Sequence, residues 1–428
     1  MRYVYNVLLY LLLPLVLTRL IWRSLRLPGY RRRIKERFGN VPRIETRKPI
    51  IWIHAVSVGE VQATRPLIDR IRLEYPAYLI LVTTYTPTGA ETVEQVFADS
   101  VIHRFVPFDL PVAVSRFISR ISPEFLIVME TEIWPNLFRI CNQKNIPVIL
   151  VNARLSESSL RGYMYIRSLI KQTLEQCAMI LAQTKEDAQR FGKLGVDGEK
   201  LYVAGNLKFD CILEPDLNEC VTINGQVSGR AHVWIAASTH DKEEEIILAA
   251  HRGILDEYPD CLLIIAPRHP ERSGGIFRMA ERAGFEVMLD STGSDRTGNT
   301  QVYILDVIGK LPPYYAVSDI AFIGGSLVPV GGHNMLEPAS LGIPVLTGPY
   351  THNFTGVLQG LIQCGAARVV MNADDVTNLV KANFRDENMR LEAGESGKKY
   401  VEKNRGGTAQ VLDKLRTILE KDATSGAV

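Results

Sequence analysis

The stretch IIWIHAVSVGEVQATRPLIDRIRLE, residues 50–74, opens with the apolar, partly β-branched run Ile50–Ala55. It passes through the turn Ser57-Val58-Gly59-Glu60 and continues as an amphipathic segment over 60–74. A strand that is apolar on both sides, followed by a helical period, is the repeating unit of a parallel sheet covered on both faces. The same run recurs as LILVTT (79–84), FLIVME (125–130), PVILVN (147–152), MILAQT (179–184) and LYVAGN (201–206), with helical stretches at 111–121, 159–173 and 185–194 between them. The pattern fades over 211–229 and restarts as VWIAAS (233–238), LLIIAP (262–267), VYILD (302–306), IAFIGG (320–325) and IPVLTG (343–348). Two such arrays joined by a short polar link predict an α/β protein of two Rossmann-like domains with parallel sheets facing a cleft. The expected division is 1–37 as a membrane anchor with a basic flank, 38–212 as the first domain, 213–229 as the linker and 230–428 as the second. One or two charged helices close the second domain over 388–421.

Composition narrows the function. With 428 residues, 46% apolar, 22% charged, 32 Gly and 22 Pro, the chain is an ordinary folded one, outside the collagen-like and disordered classes. Its six cysteines stand apart with no C-x-x-C, which argues against both a structural zinc site and a disulfide scaffold. The net charge of +2 hides an asymmetry: residues 1–48 carry +10 and the remaining 380 carry −8. The basic residues follow a greasy segment, Tyr3–Trp22, instead of spreading over a folded face. That excludes nucleic acid as the expected partner and points to a membrane surface with anionic lipid. Only Arg2 precedes the apolar run, and Thr18-Arg19-Leu20-Ile21-Trp22 ends it, so the pattern is that of an uncleaved anchor and not a secretory signal. The cations at 23–37 lie on its C-terminal side and place the rest of the chain in the cytoplasm, at an inner membrane. About 20 apolar residues are needed to cross a bilayer, and Asn6 and Pro14 leave crossing and lying in the interface both open.

Ligands of open α/β sheets sit beyond the carboxyl ends of the strands, so the residues just after each run are the candidates. Ser57-x-x-Glu60 reads as a capping box, and equally as a carboxylate at the mouth of the site whose partial burial suits a general base. Glu130 and Glu132 leave a buried strand, where carboxylates are costly unless something pairs with them or uses them. Lys208 follows Gly205-Asn206 before the link. Pro267-Arg268-His269-Pro270 suits an anionic ligand such as phosphate or carboxylate, or is a surface turn. Gly324-Gly325-Ser326-Leu327 through Gly331-Gly332-His333-Asn334-Met335-Leu336-Glu337-Pro338 reads as an anion cradle of backbone N–H groups, with Asn334 and Glu337 as a capping pair. No G-x-G-x-x-G follows the first strand, and neither a P-loop nor a G-x-S-x-G elbow occurs. An Asp-x-Asp that would clamp a metal diphosphate is also missing.

Taken in order, the anchor, S-V-G-E, E-T-E-x-W-P-N, G-N-x-K-F-D, P-R-H-P-E-R, G-G-H-N-x-x-E-P and the Gly348-Pro349-Tyr350-Thr351-His352-Asn353-Phe354 run resemble the Kdo transferases of lipopolysaccharide assembly, glycosyltransferase family 30. The resemblance extends to about residue 410. It implies a GT-B fold and transfer of 3-deoxy-D-manno-oct-2-ulosonic acid (Kdo) from CMP-Kdo to the lipid A precursor, with inversion and with no metal or other cofactor. By the same resemblance Glu60 falls on the general base, and Glu130 and Lys208 on the positions that stabilise the transition state. Arg268 and His269, Gly309, Lys310 and Leu311, and Asn334, Met335, Leu336 and Glu337 fall on CMP-binding segments. Residues 306–311 depart from the family's more T-M-G-E-L-like run, which leaves backbone contacts as the shared part there. Two further readings use the same fold: a membrane-associated GT-B enzyme taking a UDP-sugar, and a non-catalytic lipid A-binding protein. A nucleotide-sugar epimerase is a third, distinguished by turnover without an acceptor.

Overall fold

The structure is a computed structural model that describes residues 1–26, 29, 33–212, 231–292, 299–307 and 309–425. The expected linker 213–229, Arg31 and Arg32 of the basic flank, and Ile308 lie outside the described residues. The contacts divide the chain into two compact units, Met1–Cys211 with Arg405–Val428, and Ile212–Asn404.

The first unit is built on seven parallel strands: β1 (Ile50–His54), β2 (Leu79–Thr84), β3 (Ile102–Phe105), β4 (Phe125–Met129), β5 (Val148–Ala153), β6 (Cys177–Ala182) and β7 (Leu201–Val203), in the order β3-β2-β1-β4-β5-β6-β7. Because every β1 residue is buried, its alternate side chains serve two different cores. Trp52, Leu126, Val128 and Leu150 pack with Phe117, Leu137 and Phe138 on one face. Ile51, Ile53, Ile127 and Ile149 pack with Leu67, Ile68 and Ile71 on the other.

The second unit repeats the plan with β8 (Val233–Thr239), β9 (Leu262–Pro267), β10 (Val287–Leu289), β11 (Val302–Ile304), β12 (Ile320–Ile323), β13 (Val345–Thr347) and β14 (Ala367–Val369), in the order β10-β11-β9-β8-β12-β13-β14. Trp234, Ala236, Leu263, Ile265 and Phe322 form its core with Ile247, Val376, Val380 and Phe384. In each sheet the chain runs outward from a central strand and then returns to that strand's other side. The order reverses between β1 and β4 and again between β8 and β12, and these reversals are where α/β sheets hold ligands.

Two findings correct the expected domain division. The last helix, Gly407–Ser425, belongs to the first unit, not the second: Val411, Leu412, Leu415 and Leu419 enter the same core as Ile51 and Ile53. Asp210 fastens it, its carboxylate accepting the N–H groups of Gly406 at 2.8 Å and Thr408 at 2.6 Å. The N-terminal helix, Arg2–Arg26, is likewise not a separate element. Leu9, Leu13, Val16, Leu17 and Leu20 pack on Phe108, Leu110 and Ala113. The Tyr5 hydroxyl donates to Asp109 at 2.8 Å, and Asn136 donates to the Asn6 side-chain oxygen at 2.7 Å. The opposite face, including Val4, Val7, Leu8, Leu11 and Leu15, is exposed.

The Asp210 clamp yields a prediction. Asp210→Ala leaves two helix-start N–H groups without their acceptor and should cost about 1–2 kcal/mol in denaturant unfolding. It should also speed proteolysis within 405–425. Unchanged unfolding and cleavage would show that the apolar contacts alone hold this helix.

Candidate active site

Glu60 follows β1 and Glu130 follows β4, so both stand at the first sheet's reversal. The Glu60 helix, Val58–Glu74, starts at the N-cap Ser57. Its cap bonds are present: Ser57 Oγ donates to Glu60 Oε1 at 3.0 Å, and the Val56 N–H donates to Oε2 at 2.9 Å. These bonds hold the carboxylate back against the strand end, where it is 9% exposed. A Cβ added at Gly59 would meet nothing within 4 Å, so the helix start beside Glu60 faces open space. Capping and a poised carboxylate are therefore one arrangement, not rival ones.

Glu130 turns the chain out of β4 with φ 51°, a left-handed conformation that costs a non-glycine residue roughly 1–2 kcal/mol. Its N–H still bonds to Val151 O at 3.0 Å, and its carboxylate lies 3.4 Å from Lys208 Nζ. Lys208 is placed by the short 3-10 turn Leu207–Asp210. Asn152 accepts the Leu207 N–H at 3.1 Å and Asn206 accepts the Lys208 N–H at 3.0 Å. The G-N-x-K-F-D motif is thereby explained residue by residue. Asn206 caps, Lys208 pairs, Phe209 is buried and Asp210 clamps the last helix. Glu132, the third carboxylate, accepts from Trp134 Nε1 at 2.8 Å.

Electrostatics follow from this crowding. Burial, then the negative charge of Glu130, pushes Glu60 up to about 8, against the pull of the Val56 N–H and Ser57 hydroxyl bonds. Burial also raises Glu132. A carboxylate titrating near neutrality is in the range where general-base catalysis is most effective.

In the second unit Arg268 and His269 follow β9, the Arg268 N–H bonding to Thr239 O at 3.0 Å. His269 is half-exposed, with Nδ1 3.7 Å from Glu271. Gly309 has φ 89° and precedes the helix Leu311–Ala316, while Lys310 lies 3.7 Å from Asp290. Asn334 makes the expected local bonds, donating to Glu337 at 3.0 Å and accepting from Leu336 N–H at 3.1 Å. Met335 and Leu336 are fully buried, so only their backbone groups can reach a ligand.

The Gly-rich cradle is corrected. The N–H groups of Gly325, Ser326 and Leu327, together with that of His240, all donate to the buried carboxylate of Glu243 at 2.7–2.9 Å. An acid in the chain itself fills the cradle. Sequence reasoning passed over Glu243, which sits unremarked among Glu243-Glu244-Glu245 in the first turn of a helix. It also passed over His240, which the structure brings against His333 and His269.

A family model for 3-deoxy-D-manno-octulosonic-acid transferase matches residues 32–211. A 3-deoxy-D-manno-octulosonic acid transferase of Haemophilus influenzae is 39% identical over 424 residues, spanning 98% of this chain and 99% of its own length. The chain belongs to the Kdo transferase family. It is therefore a glycosyltransferase, and its paired parallel-sheet units are of the GT-B type. Among solved structures, the C-terminal CMP-Kdo binding domain of WaaA from Acinetobacter baumannii is 31% identical, covering 43% of this chain and 97% of that one with a TM-score of 0.42. A UDP-GlcNAc 2-epimerase from Neisseria meningitidis covers 86% of this chain and 100% of its own with a TM-score of 0.56 at 12% identity, a likeness of fold alone.

The Kdo transferase site has a pH signature. If the ionised form of Glu60 acts as a base, kcat/KM should rise with pH through an ascending limb near its value of about 8. Removing the negative charge in Glu130→Gln lowers the Glu60 value, so in that variant the limb should move to lower pH whatever happens to the rate. A limb that stays in place would show that the two carboxylates are not coupled.

Proposed function

We propose that this Kdo transferase moves Kdo from CMP-Kdo to a hydroxyl group of the lipid A precursor with inversion, using Glu60 as the base and no metal ion, at the cytoplasmic face of the inner membrane. The observation that carries the reading is a buried carboxylate at the sheet's reversal, raised toward neutrality and set beside a Glu130–Lys208 pair. In the transfer, ionised Glu60 takes the proton from the acceptor hydroxyl as its oxygen bonds to the anomeric carbon. The bond from that carbon to the phosphate oxygen breaks, and CMP leaves with the electron pair. One base on the face opposite the leaving group is all that inversion requires. Glu130 stabilises the positive charge that develops on the sugar, and Lys208, 3.4 Å away, holds its carboxylate in place.

The donor is doubly anionic, with a phosphate and a sugar carboxylate. Arg268 and His269, the backbone of Gly309–Leu311, and the Asn334–Glu337 segment are its proposed partners in the second unit. CMP is a monophosphate leaving group with less need of a divalent clamp than a diphosphate, which supports a reaction without metal.

The membrane reading rests on the N-terminal helix. It is long and apolar enough to cross a bilayer, and one face is exposed while the other is held by Tyr5, Asn6 and the Leu9–Leu20 stripe. The basic flank supports contact with anionic lipid, including the phosphorylated acceptor.

Glu60→Gln keeps the shape and removes the base. It should slow acceptor-dependent release of CMP from CMP-Kdo by about 10²-fold or more while leaving CMP affinity unchanged. EDTA should leave the wild-type rate intact. A Gln variant of near-normal rate would reduce Glu60 to a helix cap.

A further inference from the structure

The reversal of the second sheet lies between β8 and β12, and a histidine follows each of these strands. His240 comes directly after β8, and His333 lies in the segment after β12. Their Nε2 atoms are 2.8 Å apart, and the two rings lie within 2° of coplanar. A third imidazole, His269, stands edge-on to His240 at 5.7 Å between centroids, next to Arg268. The arrangement requires Gly325: a Cβ there would stand 2.8 Å from His333 and 3.4 Å from His240. The pair thus joins the Arg268-His269 segment to the Asn334–Glu337 segment.

An Nε2-to-Nε2 hydrogen bond fixes the chemistry of the other two nitrogens. One ring donates through its Nε2–H, which leaves its Nδ1 bare; the ring that accepts carries its proton on Nδ1. One further proton, added to the bare Nδ1, converts the pair into two outward Nδ1–H donors bearing one positive charge. The two donors lie at opposite ends of the pair and point away from each other, so a phosphate or carboxylate oxygen meets one of them.

The charged groups around the pair are Arg268, His269, Glu243 and Glu244. Glu243 is held by four backbone N–H groups, and Glu244 is paired with Arg272 at 2.7 Å. Both carboxylates are thus engaged, while Arg268 and His269 add positive character.

We infer that His240 and His333 are further donor-binding residues, a hydrogen-bonded imidazole pair that takes up a proton from solvent and grips the donor's anionic group, phosphate or sugar carboxylate, beside Arg268. The inference rests on CMP-Kdo being the donor. Without an anion the pair is neutral: burial, then His240, Arg268 and His269, hold His333 down at about 3, and burial lowers His240 as well. His240 takes the proton, because Glu243 and Glu244 favour its charge. An arriving anion reverses the balance, and proton uptake follows from linkage.

The test is calorimetric titration of the full chain in detergent near pH 7, repeated in buffers of different ionisation enthalpy. The ligands are cytidine, CMP, and CMP-Kdo without acceptor. Net uptake of up to about one proton per ligand is expected with CMP if the pair holds the phosphate, or with CMP-Kdo alone if it holds the carboxylate, and none with cytidine. His240→Gln and His333→Gln should each abolish the uptake and weaken that ligand roughly tenfold, about 1.4 kcal/mol, with an unchanged melting temperature. The buffer dependence of the wild type tests the idea without any variant. Binding of CMP and CMP-Kdo with no uptake, and with unchanged affinity in both variants, would overturn the inference and leave the donor reading intact. No binding of either nucleotide by the wild type would overturn the donor reading and this inference with it.

Discussion

Three carboxylates, Glu60, Glu130 and Glu132, share the exit of two neighbouring parallel strands, with Lys208 3.4 Å from Glu130. Burial and mutual repulsion keep such a group from ionising fully, so the least exposed member holds its proton longest. Much of the first unit serves to fix this arrangement. Glu130 leaves β4 through a left-handed turn, Asn152 and Asn206 set the Lys208 turn, and Ser57 and the Val56 N–H hold Glu60 against the strand end. The clamp on the last helix comes two residues after Lys208, so the site and the C-terminal packing share one short segment.

The two units use the same topological device to gather different side chains. At the first reversal acids collect, as suits removal of a proton from a hydroxyl. At the second, imidazoles and a guanidinium gather around a cradle already filled by Glu243, as suits an anionic donor. Filling the cradle internally turns the glycines from ligand contacts into packing elements. Gly325 gives its N–H to Glu243 and leaves room for two imidazole rings.

How far the sequence could be read depended on burial. Strands buried on both faces announce themselves as continuous apolar runs, and eleven of the fourteen among the described residues coincide with one. The three without a run, β3, β10 and β14, all lie at sheet edges, where one side is open and residues such as His103, Arg104 and Arg368 are tolerated. Glu60, Glu130 and Lys208 were legible because polar residues after apolar runs stand out, and their grouping became visible only in the fold. Glu243 and His240 were not legible, since an acid in a helix's first turn and a lone histidine look the same with or without a partner 80 or more residues away. The last helix was assigned by position along the chain, whereas the contacts of Asp210, Leu412 and Leu415 decide its place.

Everything in the proposed transfer turns on Glu60 being a carboxylic acid poised to lose its proton close to neutrality. Infrared spectroscopy of protein carrying isotope-labelled glutamate measures this directly, by difference against the Glu60→Gln variant. A protonated carboxyl band should be present at pH 6, fade through about pH 8 and be missing from the variant. A Glu60 band already in the ionised position at pH 6 and unchanged up to pH 9 would contradict it.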